Sequence, residues 1–173
     1  MKRAPDMCRS IFRSTGMIHD NRFAGEACNL LFMTIDSSQS VLSIVLMMKG
    51  NYIKGGRFMI RIIIHGCNGQ MGQVVGRMAA ADPELEVVAG IDISDHRENL
   101  FPVFRQIGDC DVEADAVIDF SSAQSVDGLL AYCVKNSVPC VLCSTGLDEA
   151  QLKKVEEASK QVAVLKSANM SVG

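Results

Sequence analysis

The sequence predicts a doubly wound α/β fold built on a parallel sheet, preceded by a poorly structured extension over residues 1–58. Three observations carry this reading. From Met59 onward, short apolar segments rich in β-branched residues alternate with helical segments of ten residues or more, a pattern that implies right-handed crossovers between parallel strands. The first crossover opens on a glycine-rich turn. The charge balance changes at the same boundary: residues 1–58 carry eight Lys and Arg against four Asp and Glu, and residues 59–173 carry nine against sixteen.

The extension holds six of the ten Met residues and sustains neither a period of two nor one of 3.6, so it offers no core-facing pattern. Its apolar run, 41–48, is broken at Ser43 and falls far short of the roughly 20 residues that span a bilayer. A secretory signal is disfavoured because Arg9, Arg13, Asp20, Arg22, Glu26 and Asp36 interrupt the first forty residues. The expected natural start is Met59, since Lys54-Gly55-Gly56-Arg57 can be encoded by an unbroken purine stretch resembling a bacterial ribosome-binding site. An Arg-bearing transit peptide or a partner-binding arm is the alternative.

The segment 60–64, apolar apart from Arg61, reads as a strand buried on both faces and stops at Gly66. A helix follows over 70–81, with Val74, Val75 and Met78 at helical spacing and Pro83 just beyond its end. Strands are expected over 86–91, 116–120, 139–143 and 162–165, and helices over 125–136 and 148–159. Asp148 with Gln151 has the spacing of a capping box. Residues 101–107 read equally as a short strand or an irregular turn.

A length of 173 residues with 48% hydrophobic content fits one soluble domain, and a net charge of −3 without clustered Lys and Arg excludes a nucleic-acid footprint. Seven Cys with no export signal read as reduced thiols, which places the protein in the cytoplasm. No membrane partner is expected.

Between the first strand and helix stands Gly66-Cys67-Asn68-Gly69-Gln70-Met71-Gly72, a G-x-x-G-x-x-G variant of the dinucleotide fingerprint of Rossmann-type domains. Glycine permits positive φ in the turn and close approach of backbone to a pyrophosphate, while free N–H groups at the helix start face the anion. Asp92, twenty residues after Gly72 at a strand end, suits the hydroxyls of an adenosine ribose. Cys140 and Cys143 form a C-x-x-C inside an expected strand, where period two sends them to opposite faces, so no metal or disulfide is expected. His65 and His96 have no evident partner in sequence and read as structural. Ser144 and Thr145 lack the G-x-S-x-G turn of a hydrolase.

Four ordered segments resemble dihydrodipicolinate reductase: the glycine turn, Ile118-Asp119-Phe120-Ser121-Ser122, Cys143-Ser144-Thr145-Gly146, and Ser167-Ala168-Asn169-Met170-Ser171-Val172-Gly173. The resemblance covers 59–173, the family's first domain. It implies NADH or NADPH as cofactor and reduction of the cyclic imine precursor of diaminopimelate and lysine. It also implies cofactor contacts at Gly66, Cys67, Asn68, Gly69, Gln70, Met71, Asp92, Phe120, Cys143, Ser144, Thr145, Ser167, Ala168, Asn169 and Met170. Two departures stand near the nicotinamide: Cys143-Ser144 where the family has Gly-Thr, and Met170 where it often has Phe.

The family continues into a substrate domain with adjacent His residues, a proton-donating Lys and an Asp-Ala-Pro-Ser-Gly-Thr segment, none of which occurs in this sequence. Hence no catalytic residue is expected in this chain, which should bind cofactor without turnover. Its relatives' homo-oligomer would form through that second domain, leaving this chain monomeric. The competing readings are a CoA-binding or redox-sensing regulatory module and a dehydrogenase of the glucose-fructose oxidoreductase type. Asp92 argues against CoA, and the Ser167–Gly173 close against the other dehydrogenases.

Overall fold

The computed structural model describes residues 30–33, 59–94 and 96–167. Its strands are β1 (Leu30–Met33), β2 (Ile60–His65), β3 (Leu85–Ile91), β4 (Val103–Phe104), β5 (Ala116–Asp119), β6 (Cys140–Leu142) and β7 (Val164–Ser167). Its helices are α1 (Gln70–Ala80), α2 (Val126–Asn136) and α3 (Glu149–Ser159). The strands form one sheet in the order β1-β7-β6-β5-β2-β3-β4, with every pairing parallel.

Strand β2 is apolar apart from Arg61 and its last residue, His65, because both of its faces are covered. Ile60, Ile62 and Ile64 join Val75 and Ala79 of α1 in one core layer, while Ile63 joins Leu129, Leu130 and Cys133 of α2 and Val155 and Ala158 of α3 in the other. Period two along the strand thus becomes two layers. The chain moves from β2 to β3 in one direction and from β5 through β6 to β7 in the other. Neighbours β2 and β5 therefore flank the topological switch point, where ligands of such sheets bind beyond the strands' carboxyl ends.

The elements expected from sequence are present, with three corrections. In α1 the buried face is Gly72, Val75 and Ala79, and Met78 is 41% exposed. The helix is seated by Gly72, where a Cβ would overlap the carbonyl oxygen of Gly66 and lie 2.8 Å from the Cys67 Cα. That contact rotates the inward face by one position. Residues 101–107 contain the two-residue strand β4, tied to β3 by Gly90 N–H to the Pro102 carbonyl and Asp92 N–H to the Phe104 carbonyl, both 2.9 Å. A 3-10 turn, Ile107–Asp109, follows. Finally, Leu30–Met33 of the extension pairs with β7 as an edge strand; four apolar residues are too few for periodicity to register.

The box at the start of α3 forms as expected: Asp148 Oδ1 accepts from the Gln151 amide at 2.7 Å, and Gln151 Oε1 accepts from the Asp148 amide at 3.2 Å. Helix α2 stops where Ser137 turns left-handed at φ 56°. Among the described residues no helix is long and apolar enough to cross a membrane.

Candidate dinucleotide site

Strand register sets the site. Ile91, His65, Asp119, Leu142 and Lys166 lie in one row across β3, β2, β5, β6 and β7. The next residue on each strand, namely Asp92, Gly66, Phe120, Cys143 and Ser167, therefore stands along the carboxyl edge of the sheet. Five separate sequence expectations are brought to one line. Ala168, Asn169 and Met170 lie outside the described residues.

At the centre of the line the chain turns sharply. Gly66 has φ +82°, and a Cβ there would sit 2.6 Å from the Phe120 carbonyl oxygen, so only glycine fits. The turn is closed by Gly66 N–H to the Ile91 carbonyl at 2.7 Å and Gly69 N–H to the Gly66 carbonyl at 3.2 Å. Helix α1 then begins with no side-chain cap at Gly69 and no acidic residue in its first turn. Its leading N–H groups, at Gln70, Met71 and Gly72, lack intrahelical partners and offer a positive dipole end to an anion. Gly69 and Gln70 are exposed at this position.

Side chains brace the turn from β3. Asp92 Oδ2 accepts from the Asn68 amide at 2.9 Å and Oδ1 from the Ser94 amide at 3.0 Å. Each oxygen keeps lone-pair capacity for a further donor. Asn68 is itself buried, its Nδ2 on the Ser94 carbonyl and its Oδ1 accepting from Asn99 Nδ2 at 2.9 Å. Arg97 Nε donates to the Asn68 carbonyl at 3.1 Å, and Gln73 Nε2 to the Cys67 carbonyl at 3.0 Å. Asn99 and Gln73 escape a motif-based reading because their roles depend on this fold.

The Cys67 side chain turns inward: a Cβ on Gly90 would meet its Sγ at 2.6 Å and the Phe101 ring at 2.7 Å. Burial, followed by the nearby Asp92 charge, pushes the Cys67 thiol up to about 11. Cys143 is driven to about 12 by burial and then by Asp119, against a smaller opposing effect of Lys166. Both thiols stay protonated at neutral pH and are poor nucleophiles. Cys140 packs in the α2 and α3 layer and Cys143 in the α1 layer, which places the C-x-x-C on opposite faces.

A further residue was missed. Asp119, fully buried at the end of β5, accepts from the Ser121 hydroxyl at 2.5 Å and the Ser144 hydroxyl at 2.6 Å. It also stands 2.9 Å from His65 Nδ1, off-axis for a hydrogen bond. His65 thus has the carboxylate neighbour that the sequence did not suggest. Ser144 is buried with its hydroxyl turned toward Asp119, so its side chain faces the sheet, whereas Thr145 is exposed. The visible clue was an acid closing an otherwise apolar strand, since a buried carboxylate needs partners. Ser167 is buried, its hydroxyl without a partner among the described residues.

The family model described as dihydrodipicolinate reductase, N-terminus, matches residues 60–170. The chain is 49% identical over 115 residues to the 4-hydroxy-tetrahydrodipicolinate reductase of Caldanaerobacter subterraneus subsp. tengcongensis, covering 66% of this chain and 45% of that protein. It is 43% identical to the enzyme of the same name from Clostridium tetani, with the same coverage of each. The chain spans about half the length of these curated relatives. Among solved structures, dipicolinate-bound dihydrodipicolinate reductase from Paenisporosarcina sp. TG-14 aligns with a TM-score of 0.57 at 23% identity, over 65% of this chain and 48% of that one. Myo-inositol 2-dehydrogenase from Lactobacillus plantarum gives 0.53 at 14% identity, over 64% and 36%. These two likenesses show the fold.

Proposed function

Because this chain belongs to the dihydrodipicolinate reductase N-terminal family, we propose that residues 59–173 are the nicotinamide-dinucleotide-binding unit of a reductase acting on the cyclic imine 4-hydroxy-tetrahydrodipicolinate. The observation that carries this is the alignment of Asp92, Gly66, Phe120, Cys143 and Ser167 along one sheet edge, beside the uncapped start of α1. The donors suit the ligand. Free N–H groups of the first turn of α1 would hold the pyrophosphate, with Gly66, Cys67, Asn68, Gly69, Gln70 and Met71 contributing backbone. Asp92 would take the adenosine ribose. Phe120, the loop at Cys143, Ser144 and Thr145, and the segment at Ser167, Ala168, Asn169 and Met170 would border the nicotinamide.

When bound, NADH or NADPH supplies a hydride for the imine carbon, and the residues of this chain bind and orient it. The reading includes a cytoplasmic protein in which this unit binds the dinucleotide through its own residues. Arg97 brings a guanidinium to the glycine turn, within the neighbourhood of Asp92, which supports acceptance of a 2′-phosphate as well as a free diol.

A CoA-binding module is the competing reading, and the carboxylate of Asp92 disfavours the 3′-phosphorylated ribose of that ligand. Competition titration separates the two. NADH should bind and resist displacement by an excess of CoA; tight CoA binding with no NADH binding would overturn the assignment.

A further inference from the structure

Asp119 carries a carboxylate that no solvent reaches, at the point where three strands of the site end. Oδ1 accepts from the Ser121 amide at 3.2 Å and the Ser121 hydroxyl at 2.5 Å, so it holds the loop after β5. Oδ2 accepts from the Ser144 hydroxyl at 2.6 Å, so it holds the loop after β6. His65, the last residue of β2 before the glycine turn, lies 2.9 Å from Oδ1. Backbone contacts run through the same junction: Cys143 N–H donates to the Asp119 carbonyl at 2.9 Å and Phe120 N–H to the His65 carbonyl at 2.8 Å.

The distribution of these partners is informative. A carboxylate needed only for stability could be satisfied within its own strand and turn, yet one oxygen serves each loop. Both loops lie on the β5 and β6 side of the switch point, whereas the pyrophosphate donors and Asp92 lie on the β2 and β3 side. Charge-assisted hydrogen bonds of this kind are roughly twice as strong as neutral ones, and in a dry setting they fix geometry closely.

We propose that Asp119 is a positioning residue: its carboxylate clamps the loops after β5 and β6, and so sets affinity for the nicotinamide half of the cofactor without touching it. The proposal rests on the dinucleotide reading above. Replacing the carboxylate by an amide keeps the shape but removes the charge and turns one acceptor into a donor, which weakens the hold on both loops. Removing the Ser144 hydroxyl frees the loop after β6 and leaves the loop after β5 held.

The test uses the full chain and its Asp119→Asn and Ser144→Ala variants, with amide hydrogen exchange measured in the absence of ligand. Titrations with NADH and with ADP-ribose, which lacks the nicotinamide ring, follow. Asp119→Asn should speed exchange at residues 120–122 and 143–146, and Ser144→Ala at 143–146 alone, while α3 stays unchanged in both. NADH affinity should fall about tenfold in Asp119→Asn, the scale of one charged hydrogen bond, and ADP-ribose affinity by less than about twofold. Equal weakening of both ligands, or unchanged exchange in both loops, would overturn the proposal. Should Asp119→Asn fail to fold, Ser144→Ala decides by the same two comparisons. A parent chain that binds neither ligand overturns the dinucleotide reading and the affinity claim with it, while the exchange data still decide whether Asp119 clamps the loops.

Discussion

The backbone amide of Asn68 donates to Asp92 Oδ2 at 2.9 Å, which joins the glycine turn to the acid that closes β3. The two halves of the dinucleotide fingerprint are therefore one mechanical unit. Asp92→Ala removes the brace together with the acceptor proposed for the ribose, and NADH affinity should fall by about tenfold or more. Asp92→Asn, which keeps one acceptor oxygen, should fall less. Fluorescence titration of both variants checks the order, and equal losses would place the effect in the charge alone.

Gly90 is constrained by its neighbours and not by its backbone angles. A methyl group there would collide with Cys67 Sγ and the Phe101 ring, both closer than 3.0 Å. Gly90→Ala should destabilise the domain by about 1–3 kcal/mol, the range for overpacking a filled core. Urea unfolding measures it, and a loss below about 0.5 kcal/mol, the range of ordinary surface changes, would mean that Cys67 and Phe101 can move aside.

Cofactor choice is expected to depend on Arg97, which reaches the turn from an exposed loop. Its guanidinium would offset the repulsion between Asp92 and a 2′-phosphate. Arg97→Ala should weaken NADPH more than NADH in parallel titrations. An equal fall for both cofactors would restrict Arg97 to bracing Asn68.

Asp119 predicts a pH dependence. Burial alone would raise its carboxyl, but the adjacent His65 imidazole and the hydroxyls of Ser121 and Ser144 outweigh burial and hold it below the usual carboxylate range. The folded state therefore binds this proton less readily than the unfolded chain. The resulting stability is fully present above the unfolded value of about 4 and is lost as pH falls through the lowered folded value. Asp119→Asn should unfold more easily in urea than the parent at pH 7, with the gap closing under acid. A gap that stays constant with pH would contradict this.

The parts of the fold that sequence disclosed were those whose cause is local. Strand β2 announces itself by β-branched residues on both faces, and α3 by Asp148 and Gln151 three positions apart. Strand β4 is two residues long and exists because β3 offers its edge, a pairing no local pattern encodes. The face of α1 followed the close packing of Gly72 and not the hydrophobicity of Met78. In the site, glycine spacing and Asp92 were legible as a motif. Asp119 was not, because its meaning depends on Ser144, 25 residues away, and on a histidine from another strand.

The most direct measurement is NADH fluorescence titration of the full chain beside its Gly69→Val variant. Gly69 has φ −70° and is exposed, and a Cβ there meets only the Gly66 carbonyl oxygen at 3.3 Å, so the substitution burdens the ligand more than the fold. The account predicts saturable binding to the parent chain, and loss of that binding in a variant whose thermal unfolding and circular dichroism remain close to the parent's. Undiminished NADH affinity in the folded variant, or no binding to the parent chain, would contradict a pyrophosphate site at the start of α1.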